Sequence, residues 1–323
     1  MTFSIIVVCL NAGEKLRETI ESILRQTERD YEIIIKDGGS TDEITRTCLD
    51  NYREEEQKGL AHDGAHLVQD KEHLGSDSPH SSQIRVYCSK DNGIYDAMNQ
   101  AVQYVRGDYV LFLNCGDRFY DNGVLAQTRE QIARAGKHVS RVREQVSQVG
   151  MQSDWQKPGH AESLSERYIF YGNIHEQQTD TFVQSNPVIN DFACYRNVPC
   201  HQACFYAAKL LREKPFDTAY AVRADYEHFL WCYYRGRARM VYMPITVALY
   251  EGGGFSETRE NEKKSRQEHR KITSIYMPAA KVLKYRLIMI MTLAPLRTWI
   301  AQNPVTAGVY QTIKKKLYQR EQK

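Results

Sequence analysis

Four short apolar runs near the start of the chain each give way to a turn that sets a glycine beside an acid or an amide. Phe3 to Cys9 is continuous, apolar and rich in β-branched residues, which suits a strand buried on both faces. It breaks at Asn11 and Gly13. From Glu14 to Gln26, Leu16, Ile20, Ile23 and Leu24 then share one helical face. Glu32 to Lys36 reads as a second buried strand, Ile84 to Cys88 as a weaker third, and Tyr109 to Leu113 as a fourth. Between the last two, Ala97, Met98, Ala101, Val102 and Val105 recur at helical spacing. Strand and helix alternating in short order require a parallel sheet with right-handed crossovers. The expected fold class is α/β, a Rossmann-like, mainly parallel sheet with helices on both faces.

The polar residues cluster where such a sheet binds ligands. Asn11 and Gly13 follow the first strand, and Asp37, Gly38, Gly39, Ser40 and Asp42 the second. Asp91, Asn92 and Gly93 follow the third, and Asn114, Gly116 and Asp117 the fourth. Each turn alone is ordinary turn chemistry. Their shared position predicts that all four loops meet at the carboxyl edge of the sheet, where open α/β folds hold their ligands. Glycine lets the backbone approach a ligand closely, while the acids can take ribose or base donors or a divalent cation. No G-x-G-x-x-G follows the first strand and no G-x-x-x-x-G-K-[ST] occurs, which argues against a dinucleotide oxidoreductase and a P-loop NTPase. A nucleotidyltransferase would need a basic phosphate-gripping loop where Asn11, Ala12, Gly13 and Glu14 stand.

With these motifs in view the chain resembles the inverting family 2 glycosyltransferases of the GT-A fold. VVCLNAG (7–13) is similar to the family's opening strand and loop, and KDGGSTD (36–42) to its D-[DG]-[GS]-S-x-D turn. DNGIYDAMN (91–99) has the form N/D-x-G-x-x-x-A-x-N, and NCGD (114–117) stands where the family carries its DxD-type metal motif. The resemblance covers residues 3–130 closely and runs more loosely to about residue 260. It implies that Asp37 bonds the nucleotide base and that Asp91, with Asn92 and Gly93, helps hold the nucleoside, with Asn11 and Asn114 also on the donor. Asp117 would bind Mg²⁺ or Mn²⁺ on the diphosphate. The first Asp of a DxD is absent, and Asn114 or Cys115 occupies its place. A single carboxylate suffices for a hard cation that keeps waters and takes phosphate oxygens.

The second half resembles the family around FDTAYAVRADYEHFL (216–230), where an E/A-D-x-[ED] motif opens a helix. The resemblance gives Asp225 the role of general base. Asp225 and Glu227 cannot share a helix face, because helical neighbours lie three or four apart, so one should meet solvent or a structural cation. His201 and Gln202 lie in a loop with the placing of an acceptor contact. Gly253, within the triple glycine 252–254, is the hinge of an expected mobile loop. The implied activity is hexosyl or hexosaminyl transfer, with inversion, from a UDP- or GDP-linked donor to a glycan or lipid-linked acceptor of cell-surface polysaccharide biosynthesis. The alternative is a catalytically impaired, nucleotide-sugar-binding relative acting as an assembly partner.

Composition sets the remaining bounds. The 323 residues can hold one large domain with an appendage. They divide into a GT-A domain at 1–260, with a donor half at about 1–130 and an acceptor half at about 165–260, and a helical basic tail at 261–323. A net charge of +3 from 43 basic and 40 acidic residues argues against nucleic acid as a partner. Eight cysteines without a C-x-x-C pair, and no secretory signal, predict reduced thiols in a cytoplasmic protein. Two polar insertions interrupt the pattern. Residues 53–83 are expected to form a partly disordered surface loop, with a helix disfavoured around Asp63 and Gly64. In residues 137–166 a charged surface helix is expected over Lys137 to Val149. The tail combines an apolar stretch, 287–296, with Lys281, Lys284, Arg286 and Arg297, Trp299, and Lys314 to Lys316. Too short to span a bilayer, it suits an interfacial helix on the inner face of the cell membrane. The other expectation is a helix docked on the catalytic domain or on a second copy, as a homo-oligomer.

Overall fold

The computed structural model describes residues 1–63, 84–148, 167–252 and 258–292. Strand β1 (Phe3–Cys9) leads to helix α1 (Glu14–Leu24), β2 (Tyr31–Asp37), α2 (Glu43–Asp63), β3 (Ile84–Cys88), α3 (Ile94–Val102) and β4 (Tyr109–Phe112). A short β5 (Arg118–Phe119) and a long α4 (Val124–Gln148) follow, then β6 (Tyr168–Glu176), β7 (Thr181–Val183) and α5 (Asp191–Arg196). A 3₁₀ turn at His201–Ala203 enters β8 (Cys204–Ala207), α6 (Ala208–Glu213), α7 (Ala224–Tyr234) and β9 (Arg239–Tyr250). The last elements are α8 (Arg259–Tyr276) and α9 (Ala279–Met291). The chain divides into two compact units between His269 and Arg270.

One sheet runs through the first unit in the order β3-β2-β1-β4-β8-β6-β9-β5, with β7 beside β6. The β3-β2-β1-β4 half is parallel throughout. Every residue of β1 and β2 is buried, as continuous apolar runs require when helices cover both faces. Register aligns the strand ends: Cys9 lies opposite Asp37, and Asp37 opposite Cys88. The four glycine-containing loops therefore do rise from one edge.

The other half is mixed. β8 runs antiparallel to β4, pairing Val110 with Tyr206. That reversal brings the residues just before β8, His201 and Gln202, to the same edge as the end of β4. β6 is antiparallel to β8, and β9 is parallel to β6. The carboxyl end of β9, at Tyr250 and Glu251, thus returns to this edge too.

Three local expectations need correction. Helix α2 continues to Asp63, so the insertion begins as helix rather than loop, its sequence from Glu54 to Lys58 being rich in helix formers. Residues 64–83 lie outside the described residues. Cys88 is exposed, because β3 is the sheet's edge strand and its last residues lose cover. The expected helix at Lys137 belongs to α4, which begins at Val124. All eight cysteines are free thiols.

Candidate active site

The loop after β2 is built around its own aspartate. The Asp37 carboxylate is buried and accepts from the amides of Gly39 and Ser40 at 3.1 Å and from the Ser40 hydroxyl at 2.5 Å. Asn11, at φ 50°, accepts from Thr41 N at 2.8 Å and donates its own amide to Ser40 Oγ at 2.8 Å. The β1 and β2 loops are in this way a single unit. The β3 loop leans on it. Gly38 leaves the room that Asp91 fills, since a Cβ there would stand 2.5 Å from Asp91 Oδ2.

Beneath both loops lies Lys36, fully buried in β2. Its Nζ donates to the Asp37 and Ser89 carbonyls at 2.9 and 2.7 Å and reaches Asp91 Oδ2 at 3.5 Å. A buried ammonium needs such partners, and here they fix the depth of the Asp91 loop. Asp91 Oδ1 accepts from Gly93 N at 3.1 Å, and Gly93, at φ 119°, opens α3 in a conformation that glycine tolerates. Asn92 turns aside to Asp96 on α3, donating its backbone amide at 2.8 Å.

At the β4 loop, Asp117 is 4% exposed. It accepts from Glu251 N at 3.0 Å through Oδ1 and from Gln202 Nε2 at 3.1 Å through Oδ2. Burial pushes its carboxyl above the ordinary value; these hydrogen bonds and nearby His201 act against that, and Glu251 adds to it. The Glu251 carboxylate sits over Gly116, where a Cβ would come within 2.2 Å of Oε2, and pairs with Lys15 at 2.7 Å. Among the described residues no three acid, histidine or cysteine side chains form a ready-made ion cage. The Asp117 carboxylate, buried at a cost, nevertheless fits a Mg²⁺ or Mn²⁺ ion that draws its other ligands from phosphate and water.

Asp225 enters from the first turn of α7. Its Oδ1 accepts from Tyr95 OH at 2.9 Å and from Tyr226 N at 2.8 Å, and its Oδ2 faces His201 Nδ1 at 3.3 Å. The side chain stays about a quarter exposed, at 26%. Burial would raise its carboxyl, but His201 and Tyr95 outweigh that and hold it below the ordinary value. His201 Nε2 in turn meets Asn114 Nδ2 at 3.1 Å. A continuous hydrogen-bonded path therefore joins the β4 loop to the helix carrying Asp225. Glu227 faces elsewhere, buried against Lys214 at 2.9 Å.

Asp225, His201, Gln202, Asn114 and Asp117 thus form one cluster, with Asn11, Asp37, Asp91 and Gly93 forming the neighbouring loop pair. Glu227 is apart from both, and Gly253 lies outside the described residues. Sequence reasoning missed Tyr95, Lys36 and Glu251. Tyr95 sits inside a quoted motif, Lys36 is a lone charge in an apolar strand, and Glu251 precedes the glycine triplet, so each carried a signal.

The comparisons with known proteins fit this geometry. The profile described as glycosyl transferase family 2 matches residues 4–187. A PGL/p-HBAD biosynthesis glycosyltransferase of Mycobacterium bovis is 28% identical over 258 residues, covering 79% of each chain. An uncharacterized glycosyltransferase of Mycobacterium tuberculosis is 25% identical over 252 residues, 76% of this chain and 72% of that one. Among solved structures, S. aureus TarS 1-349 in complex with UDP superimposes with a TM-score of 0.56 at 14% identity, over 88% of this chain and 69% of that one. The mannosyltransferase of Pyrobaculum calidifontis, in complex with GDP-Man and Mn²⁺, gives 0.51 at 12% identity, over 98% and 79%. At such identities these structures speak for the fold.

Proposed function

The chain belongs to glycosyl transferase family 2, and from that premise we propose that it moves a hexosyl or hexosaminyl group, with inversion, from a UDP- or GDP-linked donor to a glycan or lipid-linked acceptor of cell-surface polysaccharide biosynthesis. The observation that carries this reading is the placement of the Asp225 carboxylate beside the donor loops, partly open and held by Tyr95 and His201. Inversion needs a carboxylate that takes the acceptor hydroxyl proton while that oxygen bonds to the anomeric carbon and the bond to the diphosphate breaks. Because Asp225 Oδ1 already has two donors, Oδ2 is the oxygen left to receive the proton.

Asp37, Asp91, Asn92, Gly93 and Asn11 take the nucleoside in this reading, with Asn114 near the sugar diphosphate. Asp117 holds Mg²⁺ or Mn²⁺, which when bound neutralises charge developing on the leaving diphosphate. The nucleotides named with the solved neighbours, UDP and GDP-Man, support a nucleotide-linked donor, and the Mn²⁺ beside GDP-Man supports the ion. His201 and Gln202 stand on the acceptor side. The name of the PGL/p-HBAD biosynthesis glycosyltransferase supports transfer of a glycosyl group. Among the described residues no helix is long and apolar enough to cross a membrane.

Turnover of a panel of nucleotide sugars tests the assignment. Asp225→Asn keeps the shape but cannot take the proton, so kcat should fall by roughly 10²–10⁴ with donor affinity little changed. Glu227→Gln, whose carboxylate pairs with Lys214 rather than with the Asp225 cluster, should keep most of its kcat. A dead Glu227→Gln beside an active Asp225→Asn would move the base by two residues.

A further inference from the structure

His201 touches Asp225 with one ring nitrogen and Asn114 with the other, and the chemistry of Asn114 decides which nitrogen carries the proton. We propose that Asn114 holds His201 in the neutral tautomer with its proton on Nδ1, and that in this form His201 is the positioning residue for the Asp225 carboxylate. The inference rests on the reading of Asp225 as general base.

An amide nitrogen donates and has no lone pair to offer. With Asn114 Nδ2 3.1 Å from Nε2, that ring nitrogen must be the acceptor, which leaves the proton on Nδ1. Nδ1 then donates to Asp225 Oδ2 across 3.3 Å. Turning the amide over would place its oxygen on Nε2 and bury the NH₂ group where Oδ1 now lies without a partner. One unmet carbonyl is tolerated better than two unmet N–H donors, so packing favours the orientation seen.

The charges around the ring give the amide a purpose. Asp225 faces it from α7 and Asp117 from the β4 loop, behind Gln202; Glu251, tied to Lys15, stands beyond Asp117 at the end of β9. Tyr95, from α3, adds only a neutral hydroxyl on Asp225. The carboxylates invite a second proton onto the ring. An imidazolium on Oδ2 would pair with the carboxylate and take away its readiness to accept the acceptor's proton. The donor at Asn114 opposes that second proton. A carboxylate at position 114 would do the reverse by accepting Nε2–H and stabilising the cation.

The tautomer can be read without any ligand, from long-range ¹H–¹⁵N spectra of the histidine rings, with the His201 signals assigned by their loss in His201→Asn. At pH 7 the wild-type ring should show a protonated Nδ1 and a bare Nε2. A proton on Nε2, alone or with Nδ1, overturns the inference. In Asn114→Asp both nitrogens should be protonated. The kcat should then fall with donor KM little changed, because the paired carboxylate no longer takes the acceptor's proton. An unmoved kcat with a changed donor KM would make Asn114 a donor contact alone. His201→Asn, whose amide can replace the Nδ1 donor, should keep about tenfold more kcat than His201→Ala; equal losses would overturn the positioning role. If Asp225→Asn stays active while the spectra are as expected, it is the base assignment that fails.

Discussion

At the scale of single residues, charge and burial determine what can be tested. Asp117 accepts from neutral donors, Gln202 and the Glu251 amide, which suits it to the cation proposed there, whereas Asp37 is engaged by its own loop. Calorimetry of UDP and GDP should show that Asp117→Ala loses the metal dependence of binding, and that Asp37→Ala binds weakly with or without metal. Unchanged Mn²⁺-dependent affinity in Asp117→Ala would remove the ion from that site. A second residue lies away from the chemistry. His228 is fully buried in α7 beside Cys232, and burial, with the charge of Lys214 adding to it, pushes its imidazole down to about 3 from 6.5. The unfolded chain therefore takes up the proton first. The stability this supplies is complete above pH 6.5 and drains as pH falls toward 3, at about 1.4 kcal/mol per pH unit. Denaturant titrations should lose about 2 kcal/mol between pH 6.5 and 5 in the wild type and much less in His228→Leu. The depressed carboxyls of Asp30, Asp42 and Asp225 act only from their ordinary value of 3.8 downward, outside that window. Equal slopes in the two proteins would show that His228 is protonated alike in both states.

At the scale of elements, the helix that carries Asp225 depends on a distant segment. The cap position of α7, Arg223, gives no side-chain cap. Instead Glu268 of α8 accepts from the amides of Ala221, Val222 and Arg223 at 3.0, 3.1 and 2.9 Å. A carboxylate there satisfies three backbone donors and suits the positive end of the helix. Glu268→Ala should cost about 1–3 kcal/mol of stability, since it leaves buried amides unmet. It should also lower kcat more than donor affinity, because Asp225 sits in that first turn. A variant with normal kcat would mean that Tyr95 and His201 hold Asp225 unaided. These long-range supports explain what the sequence could reveal. The β1 to β4 loops were legible because strand, glycine and acid follow one another locally and parallel pairing fixes where they end. The meeting of His201 with Asn114 was not, since it needs the antiparallel entry of β8, and its short apolar run, Cys204 to Ala207, carries no direction. Nor does anything near Asp225 point to Glu268. Helix α2 outran its expected end because Glu54 to Lys58 are good helix formers, and their propensity outweighs the single Gly59.

At the scale of the whole molecule, the question is what the exposed face of the last described helix meets. Helix α9 has no buried residue. Leu283, Leu287, Ile290 and Met291 are 58, 51, 54 and 81% exposed, and their spacing puts them on one stripe. Lys284 borders the stripe on one side and Arg286 on the other, with Lys281 farther round, all exposed. Apolar residues edged by cations suit the boundary of a bilayer with anionic headgroups, at about 1 kcal/mol per basic residue near the surface. Arg297, Trp299 and Lys314 to Lys316, which supported the same expectation in the sequence, lie outside the described residues. The full chain should float with vesicles containing anionic lipid, less so as salt screens the basic residues, and not with neutral vesicles. Leu287→Glu with Ile290→Glu sets acids into the stripe. It should release the protein from anionic vesicles while leaving the melting temperature and transfer to a soluble acceptor analogue unchanged. If the stripe is covered by protein instead, the same pair of substitutions lowers the melting temperature or changes the oligomeric state, and vesicle composition has no effect from the outset.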